Sequence, residues 1–381
     1  MDFSLTEEQR MLKTMVHDFA EKEIAPLAAA VDKEARYPAE SIRKMAELGL
    51  MGIPFPEDCG GSGGGILSFA LVEEEIARVC AATGAIYFVT AGLAGQPLYQ
   101  FGNEEQRRRC VVPVAQGAKI AAFALTEPGA GSDPANMETT AVKTKGGYVL
   151  NGTKVFITNG AEADYVVVFA STDRSLGHKG ITAFVVEKDM PGFAVGKLEH
   201  KMGIRGTSTA ELVFTDCRVP EANRLGSEGD GFKIALFAID ESRISVAAQA
   251  LGIAQGAFEK ALAYAKERRQ FGETIISFQA IQWMLADMAT QIDAARLLTY
   301  RAAALCDLGE PFVKEASMAK LFAGEASSFV TNKAVQIFGG YGYIDEYPVE
   351  RYLRDAKVTE IYEGTSEMQR RTIARYLMRE N

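Results

Sequence analysis

No apolar run in this chain of 381 residues is long enough to cross a bilayer, and the opening stretch from Met1 to Arg10 is polar and acidic rather than basic and then apolar. The expectation is a protein with neither membrane insertion nor export, working in the cytoplasm. An excess of basic residues is also missing, since 41 Lys and Arg stand against 50 Asp and Glu for a net charge of -9. Nucleic acid is therefore not expected as the main partner, because gripping its backbone takes a basic face. A local basic site for a phosphorylated ligand stays compatible with that balance. Cys59, Cys80, Cys110, Cys217 and Cys306 are odd in number and contain no C-x-x-C pair, which fits reduced thiols serving as small core residues. His17, His178 and His200 are the only histidines, and none stands at metal-ligand spacing from a Cys, Asp or Glu, so no metal site is expected. No G-x-G-x-x-G follows a strand-like run, which argues against a nicotinamide enzyme, and no repeat or low-complexity tract occurs.

What is present is an ordinary globular composition, 48% hydrophobic and 24% charged, enough for a large core and more than one domain. From Thr6 to about Ala115 the pattern is helical, with Leu12, Met15, Val16 and Phe19 on one stripe and Pro38, Pro54, Pro56 and the glycines at 60, 61, 63, 64 and 65 as punctuation. Between Ile120 and about Arg224 short β-branched and aromatic runs take over: Ala121 to Leu125, Tyr148 to Asn151, Tyr165 to Ala170, Ile181 to Val186 and Leu212 to Phe214. Helical periodicity returns from Phe232, with stripes at Ile244, Ala248, Leu251, Ala254, Phe258, Leu262 and Ala265 and at Ile281, Leu285, Met288, Ile292 and Ala295. Pro311 fits the first turn of a third helix, and the glycines at 339, 340 and 342 break the chain before two final helical segments. The expected organisation is mainly α with a middle β domain: a helical domain over 1–119, a β domain over 120–226 and a helical bundle over 227–381.

Five motifs carry the chemistry, and each has a bland reading of its own. FALTEPGAGSD (Phe123 to Asp133) is a strand running into a Gly-rich loop, where small residues let backbone N–H groups approach a ligand, or else a plain turn. KVFITNG (Lys154 to Gly160) reads as a strand with an aromatic and a Thr hydroxyl, or as nothing more than a strand and turn. RRQFG (Arg268 to Gly272), followed by Phe278 and Gln279, joins two long helices; an Arg pair there otherwise only complements a helix dipole. QIFGGYGY (Gln336 to Tyr343) has glycines that also serve simply to end a helix. In IYEGTSEMQR (Ile361 to Arg370), Glu363 lies between an aromatic and a glycine, followed by a Thr-Ser pair suited to capping the last helix; alone, such a carboxylate is more often a surface acid.

In this order and on this helix, strand, helix frame, the five motifs resemble the acyl-CoA dehydrogenase family over nearly the whole chain. The resemblance implies a β-barrel-like middle domain, a C-terminal four-helix bundle, a homotetramer, FAD as cofactor and an acyl-CoA substrate. It implies that Phe123, Leu125, Thr126, Gly131 and Ser132 hold the flavin ring and pyrophosphate, with Ser132 also near CoA, and that Phe156 and Thr158 lie beside the isoalloxazine. Most relatives carry Trp where this chain has Phe156, which changes the aromatic shield. Arg268, Phe271, Gln279, Gln336, Gly339 and Gly340 match positions reaching the FAD of a neighbouring subunit, Thr365 and Glu367 further FAD contacts, and Asp240, Arg243, Gly364 and Arg375 substrate or CoA positions.

Glu363 is the expected base. An α C–H beside a thioester is too weak an acid for a carboxylate in water, so the site must raise the base and stabilise the enolate together. An apolar acyl chain closing over Glu363 desolvates it and pushes its pKa up. In the family the thioester oxygen is held by the backbone N–H of the catalytic Glu and a ribityl hydroxyl of FAD, the pro-R α proton leaves, and a β hydride passes to flavin N5, giving the trans-2-enoyl-CoA. Some relatives place the base just before an Arg on the helix that opens the bundle, where this chain has Ser242. Glu241, one residue earlier and about 100° round the helix, is expected to face away from the cleft.

The segment Thr90 to Gln96 matches the wall of the acyl pocket and is rich in small residues, so a wide pocket is expected, with a short straight acyl chain as default and branched or cyclic groups also admitted. Electron-transferring flavoprotein is implied as acceptor. The nearest rivals are an acyl-CoA oxidase, disfavoured because oxidases of this superfamily usually carry a further C-terminal domain, and an enoyl-CoA reductase running the reaction backwards. Gly60 to Gly64 formally fit the G-x-S-x-G elbow of hydrolases, but Pro54, Pro56, Glu57 and Asp58 precede it where a buried strand is needed.

Overall fold

The computed structural model describes residues 4–379; Met1 to Phe3 and Glu380 to Asn381, at the outer ends of the expected first and third domains, lie outside the described residues. The chain opens with helix Glu7–Phe19, which Thr6 starts through a reciprocal capping box with Gln9. Of its expected stripe Val16 is fully buried and Leu12 and Phe19 pack partly, while Met15 stands in solvent. Helix Gly65–Val79 lies between this helix and the bundle and is buried on almost every side. Its burial extends to charged groups: Glu74 accepts from Lys13 at 2.8 Å and pairs with Arg296 at 3.2 Å, and Glu75 pairs with Arg78 at 3.0 Å. The Gly60 to Gly64 stretch follows a 3₁₀ turn, Glu57–Cys59, rather than a strand, so it is not a nucleophile elbow. Gly61 is glycine because a Cβ there would strike the carbonyl oxygens of Phe55 and Gly52.

The middle of the chain forms one eight-stranded sheet from β1 (Ala121–Ala124), β2 (Thr140–Thr144), β3 (Gly147–Thr158), β4 (Tyr165–Ser171), β5 (Ile181–Glu187), β6 (Phe193–Leu198), β7 (Thr209–Pro220) and β8 (Arg224–Leu225). The order is β6-β7-β3-β2-β4-β5-β8, with β1 parallel to β4; β6 and β8 end this path, so the barrel-like sheet has no closed hydrogen-bonded ring. The sheet nevertheless curls round its own core, since Tyr148 of β3 meets Phe184 of β5, three strands away, with ring centroids 4.9 Å apart. Alternation decides which core each side chain joins. Val166, Val168 and Ala170 face the core inside the sheet, while Tyr165, Val167 and Phe169 face the helices. Both faces are buried, which is why β4 reads as a continuous apolar run.

Three long helices, Gly231–Glu267, Gln279–Asp307 and Val313–Phe338, build the C-terminal bundle, with the short helix Val349–Ala356 packed on the first and third and the closing helix Ser366–Leu377 packed on the third. Pro311 lies two residues before the third helix rather than in its first turn, and Phe312 is the N-cap. The first bundle helix also packs on Gly65–Val79, so the N-terminal and C-terminal helices share one core.

Candidate active site

The segment between the 3₁₀ turn Lys357–Glu360 and the closing helix carries Glu363, and its backbone is unusual. Glu363 has φ +52° and Gly364 φ +91°, two consecutive residues in left-handed territory. For a side chain larger than glycine this costs roughly 1–2 kcal/mol, so the surroundings must hold it. On one side Tyr362 anchors the loop: its ring meets Phe88 edge-on at 5.9 Å and its hydroxyl donates to Gln249 Oε1. On the other, Thr365 Oγ1 accepts from the Met368 N–H at 3.4 Å and starts the closing helix, the capping expected from sequence.

Held this way, the half-buried Glu363 carboxylate meets the first bundle helix, with Ser242 Oγ donating to its Oε2 at 3.2 Å. Burial pushes the carboxyl above its ordinary pKa; the Ser242 hydrogen bond, Lys320 and Arg243 pull the other way. Glu241 sits on the opposite side of that helix, fully enclosed near Asp307 and Cys306, where burial drives its pKa up to about 8. One residue along the helix thus separates a side chain that reaches Glu363, Ser242, from a carboxyl that does not, Glu241. Asp240 and Arg243 pair at 2.7 Å beside the same loop, and Arg243 also donates to Ser317 Oγ at 3.2 Å. The Arg375 charge acts on both, although its side chain is exposed over the ring of Tyr376, 5.8 Å away. Glu367 is exposed in the first turn of the closing helix.

The two β motifs are brought together at the end of β1. The Val155 N–H donates to the Thr126 carbonyl at 3.0 Å, and Lys154 Nζ, with no exposed surface, donates to the Leu125 carbonyl at 3.0 Å and to Glu127 Oε1 at 2.7 Å. Glu127 in turn accepts from the N–H groups of Glu138 and Thr139, so one buried ion pair braces both ends of the loop containing Gly129, Gly131 and Ser132. The register of β3 against β7 shifts between Lys154 and Ile157, and Phe156 takes φ +60° and is 64% exposed; the regular strand expected there is interrupted by a bulge. Phe123 points away from this surface, packed on Phe169 with centroids 4.9 Å apart, so only its backbone is available to a ligand. A Cβ at Gly129 or Gly131 would meet nothing within 4 Å. An open Gly-rich loop, a bared aromatic face at Phe156 and the half-buried Thr158 fit a flat ring with a hydrogen-bonding edge and a phosphate tail, as FAD has.

A second group lies at the far end of the bundle. Arg268 caps the first helix, stacks 5.3 Å over Tyr341, and with Gly339, Gly340, Tyr264 and Phe338 lines a cavity of about 410 Å³ that includes none of Glu363, Phe156 or Thr158. Arg269 belongs to a two-stranded hairpin, Arg269–Gln270 with Glu273–Thr274, whose turn carries Phe271 at φ +52° and 94% exposed. Gln279 begins the second bundle helix, and both it and Gln336 are exposed.

The wide acyl wall needs a correction. Thr90 to Gln96 is buried and mostly π-helical, over Phe88–Ala94, and its glycines make room for protein rather than ligand. A Cβ at Gly92 would come within 3.0 Å of Phe69, and one at Gly95 within 2.7 Å of Phe55. Sequence reading missed Gln249, Lys320 and Gln369, all buried, and treated Ser242 only as the place of an absent base. The apolar periodicity around Gln249 and Lys320 gave no sign that these polar groups point at the loop.

Residues 6–118, 122–217 and 229–378 match the N-terminal, middle and C-terminal domains of acyl-CoA dehydrogenase. The short-chain specific acyl-CoA dehydrogenase of Clostridium acetobutylicum is 51% identical over 379 residues, covering 100% of both chains. Among solved structures, butyryl-CoA dehydrogenase from Megasphaera elsdenii superposes with a TM-score of 0.98 at 48% identity, covering 99% of this chain and 100% of that one. A chain from the structure described as the electron transferring flavoprotein of Acidaminococcus fermentans gives a TM-score of 0.99 at 52% identity over 100% of each chain.

Proposed function

The chain belongs to the acyl-CoA dehydrogenase family, and on that premise we propose that it removes the α and β hydrogens of a short-chain acyl-CoA with Glu363 as base. The observation that carries this reading is the Glu363 carboxylate, raised in pKa by burial, held in a left-handed loop and turned to Ser242. A base poised in this way takes the α proton once an acyl chain displaces the remaining water. The Ser242 hydroxyl restrains the carboxylate between turnovers, and the Asp240–Arg243 pair shapes the polar side of the same cleft. Leu125, Thr126, Gly131, Ser132, Phe156 and Thr158 would hold FAD, which when bound would supply the acceptor for the β hydride. Arg268, Phe271, Gln279, Gln336, Gly339 and Gly340 are assigned to the cofactor of a neighbouring copy in a homotetramer, a reading supported by the cavity that Arg268, Gly339 and Gly340 line apart from Glu363 and by the exposure of Phe271, Gln279 and Gln336. Electron-transferring flavoprotein is the proposed acceptor of the electrons, supported by the likeness to the Acidaminococcus chain.

The test is Glu363→Gln. The variant is expected to bind FAD normally and to lose dehydrogenation by roughly 10²–10⁴-fold, the range for removing a general base. Anaerobic mixing with butyryl-CoA bleaches the wild-type flavin and leaves that of the variant yellow; near-normal turnover by the variant defeats the assignment. For the acyl group, kcat/KM over butyryl, octanoyl, isobutyryl and cyclohexanecarbonyl thioesters is expected to be highest for butyryl, and an optimum at long straight chains rejects the short-chain reading.

A further inference from the structure

Two buried polar side chains converge on the main chain of the Glu363 loop from different elements. Gln369, in the first turn of the closing helix, donates from Nε2 to the Glu363 carbonyl at 3.1 Å and to the Gly364 carbonyl at 2.9 Å. Lys320, on the third bundle helix and 1% exposed, donates from Nζ to the same Gly364 carbonyl at 2.6 Å. An ammonium is a costly group to bury, and a core position with no further role is better filled by an apolar residue. The fit beneath the loop is close: a Cβ on Gly364 would come within 2.8 Å of Gln369 Nε2, so residue 364 has to be glycine for the clamp to form.

We propose that Lys320 and Gln369 are positioning residues, which grip the carbonyls of residues 363 and 364 and thereby hold Glu363 in the left-handed conformation in which its carboxylate works as the base. This rests on Glu363 being that base. With both donors on one carbonyl and a third hydrogen bond on its neighbour, the peptide cannot flip and Glu363 cannot relax to a negative φ without leaving buried donors unpaired. Lys320 adds a second effect through its charge. It acts on Glu363 together with Arg243 of the first bundle helix, and both favour the ionised carboxylate. Lys320 itself faces Glu363, Arg243, Glu360 and Glu367, and burial lowers its own pKa to about 8.

The two roles separate by mutation in the assembled, FAD-loaded enzyme. Lys320→Met and Gln369→Leu are each expected to retain flavin and to lower kcat with little change in KM, by about 10²-fold if the carboxylate moves by about an ångström. Lys320→Gln, which keeps a donor but drops the charge, is expected to restore much of the kcat lost in Lys320→Met while moving the rising limb of the kcat–pH profile to higher pH. Gln369→Leu is expected to lower kcat without moving that limb, and its crystal structure to show Glu363 with a changed φ. An unaltered kcat in both Lys320→Met and Gln369→Leu overturns the proposal, as does an unmoved limb in Lys320→Gln. If Lys320→Met fails to fold, kcat and the Glu363 φ in Gln369→Leu decide; if that variant fails too, the limb in Lys320→Gln decides. Turnover by Glu363→Gln defeats the reading of the base itself, whereas an inactive Glu363→Gln beside normal Lys320 and Gln369 variants defeats the positioning claim alone.

Discussion

Glu363 illustrates how one residue acquires its chemistry from its surroundings. The folded chain holds the Glu363 proton more tightly than an unfolded chain does, because burial penalises the carboxylate more than Ser242, Lys320 and Arg243 favour it. Two outcomes follow with opposite signs. Activity needs the deprotonated form, so kcat/KM is expected to fall as pH drops through a value above the ordinary Glu range of about 4.3. Ser242→Ala, which removes a hydrogen bond to the ionised form, is expected to move that limb to higher pH; a limb unchanged or shifted to lower pH contradicts this. Stability runs the other way: a raised folded-state pKa contributes stability at low pH that is lost as pH rises through it. Glu363→Gln is therefore expected to gain thermal stability over the wild type at pH 7 and to gain little or nothing at pH 4, checked by melting both proteins across that range.

At the scale of the element, the loop after β1 owes its shape to a side-chain pair inside the sheet rather than to its glycines. Lys154 and Glu127 are both buried and meet at 2.7 Å, and between them they tie down the backbone at Leu125, Glu138 and Thr139. Burial lowers the Lys154 pKa to about 8 even with its partner present, a measure of how dry the site is. Removing only the carboxylate leaves an unpaired ammonium there, so Glu127→Ala is expected to lose about 3–5 kcal/mol of stability. The double change Glu127→Ala, Lys154→Met is expected to recover part of that loss in denaturant unfolding, and a purely additive double variant sinks this account. A companion expectation concerns the small-residue wall: Gly95→Ala drives a methyl against Phe55 and the Thr90 carbonyl and is expected to cost about 1–3 kcal/mol.

At the scale of the whole molecule, the proposed FAD contacts divide between two places in a single chain, and that division has a measurable consequence. Phe271, 94% exposed on a tight hairpin turn, is an unfavourable residue to leave in water. Phe271→Asp is expected to weaken assembly and to lose most of the bound FAD together, as followed by light scattering and by flavin absorbance per chain. A variant that is monomeric yet fully loaded with flavin rules out the shared-site reading. No helix among the described residues is long and apolar enough to cross a membrane.

Sequence alone determined the order of the elements, because periodicity of side chains is a local property: the long helical stripes and five of the eight strands can be read from it. It also marked out the five motifs, since loops that expose backbone to a ligand need glycine and the bases of such sites need carboxylates. The three missed strands, β2, β6 and β8, are exposed or very short and carry no alternating apolar signal. Tertiary structure decided the rest. Which hydroxyl meets the Glu363 carboxylate, whether the small residues of the 90–96 wall leave space or are filled by Phe69 and Phe55, and which buried Lys and Gln hold the left-handed loop all depend on contacts between different elements of the fold. No local pattern encodes such contacts, because Ser242, Lys320 and Gln369 are each, on their own, ordinary helical residues.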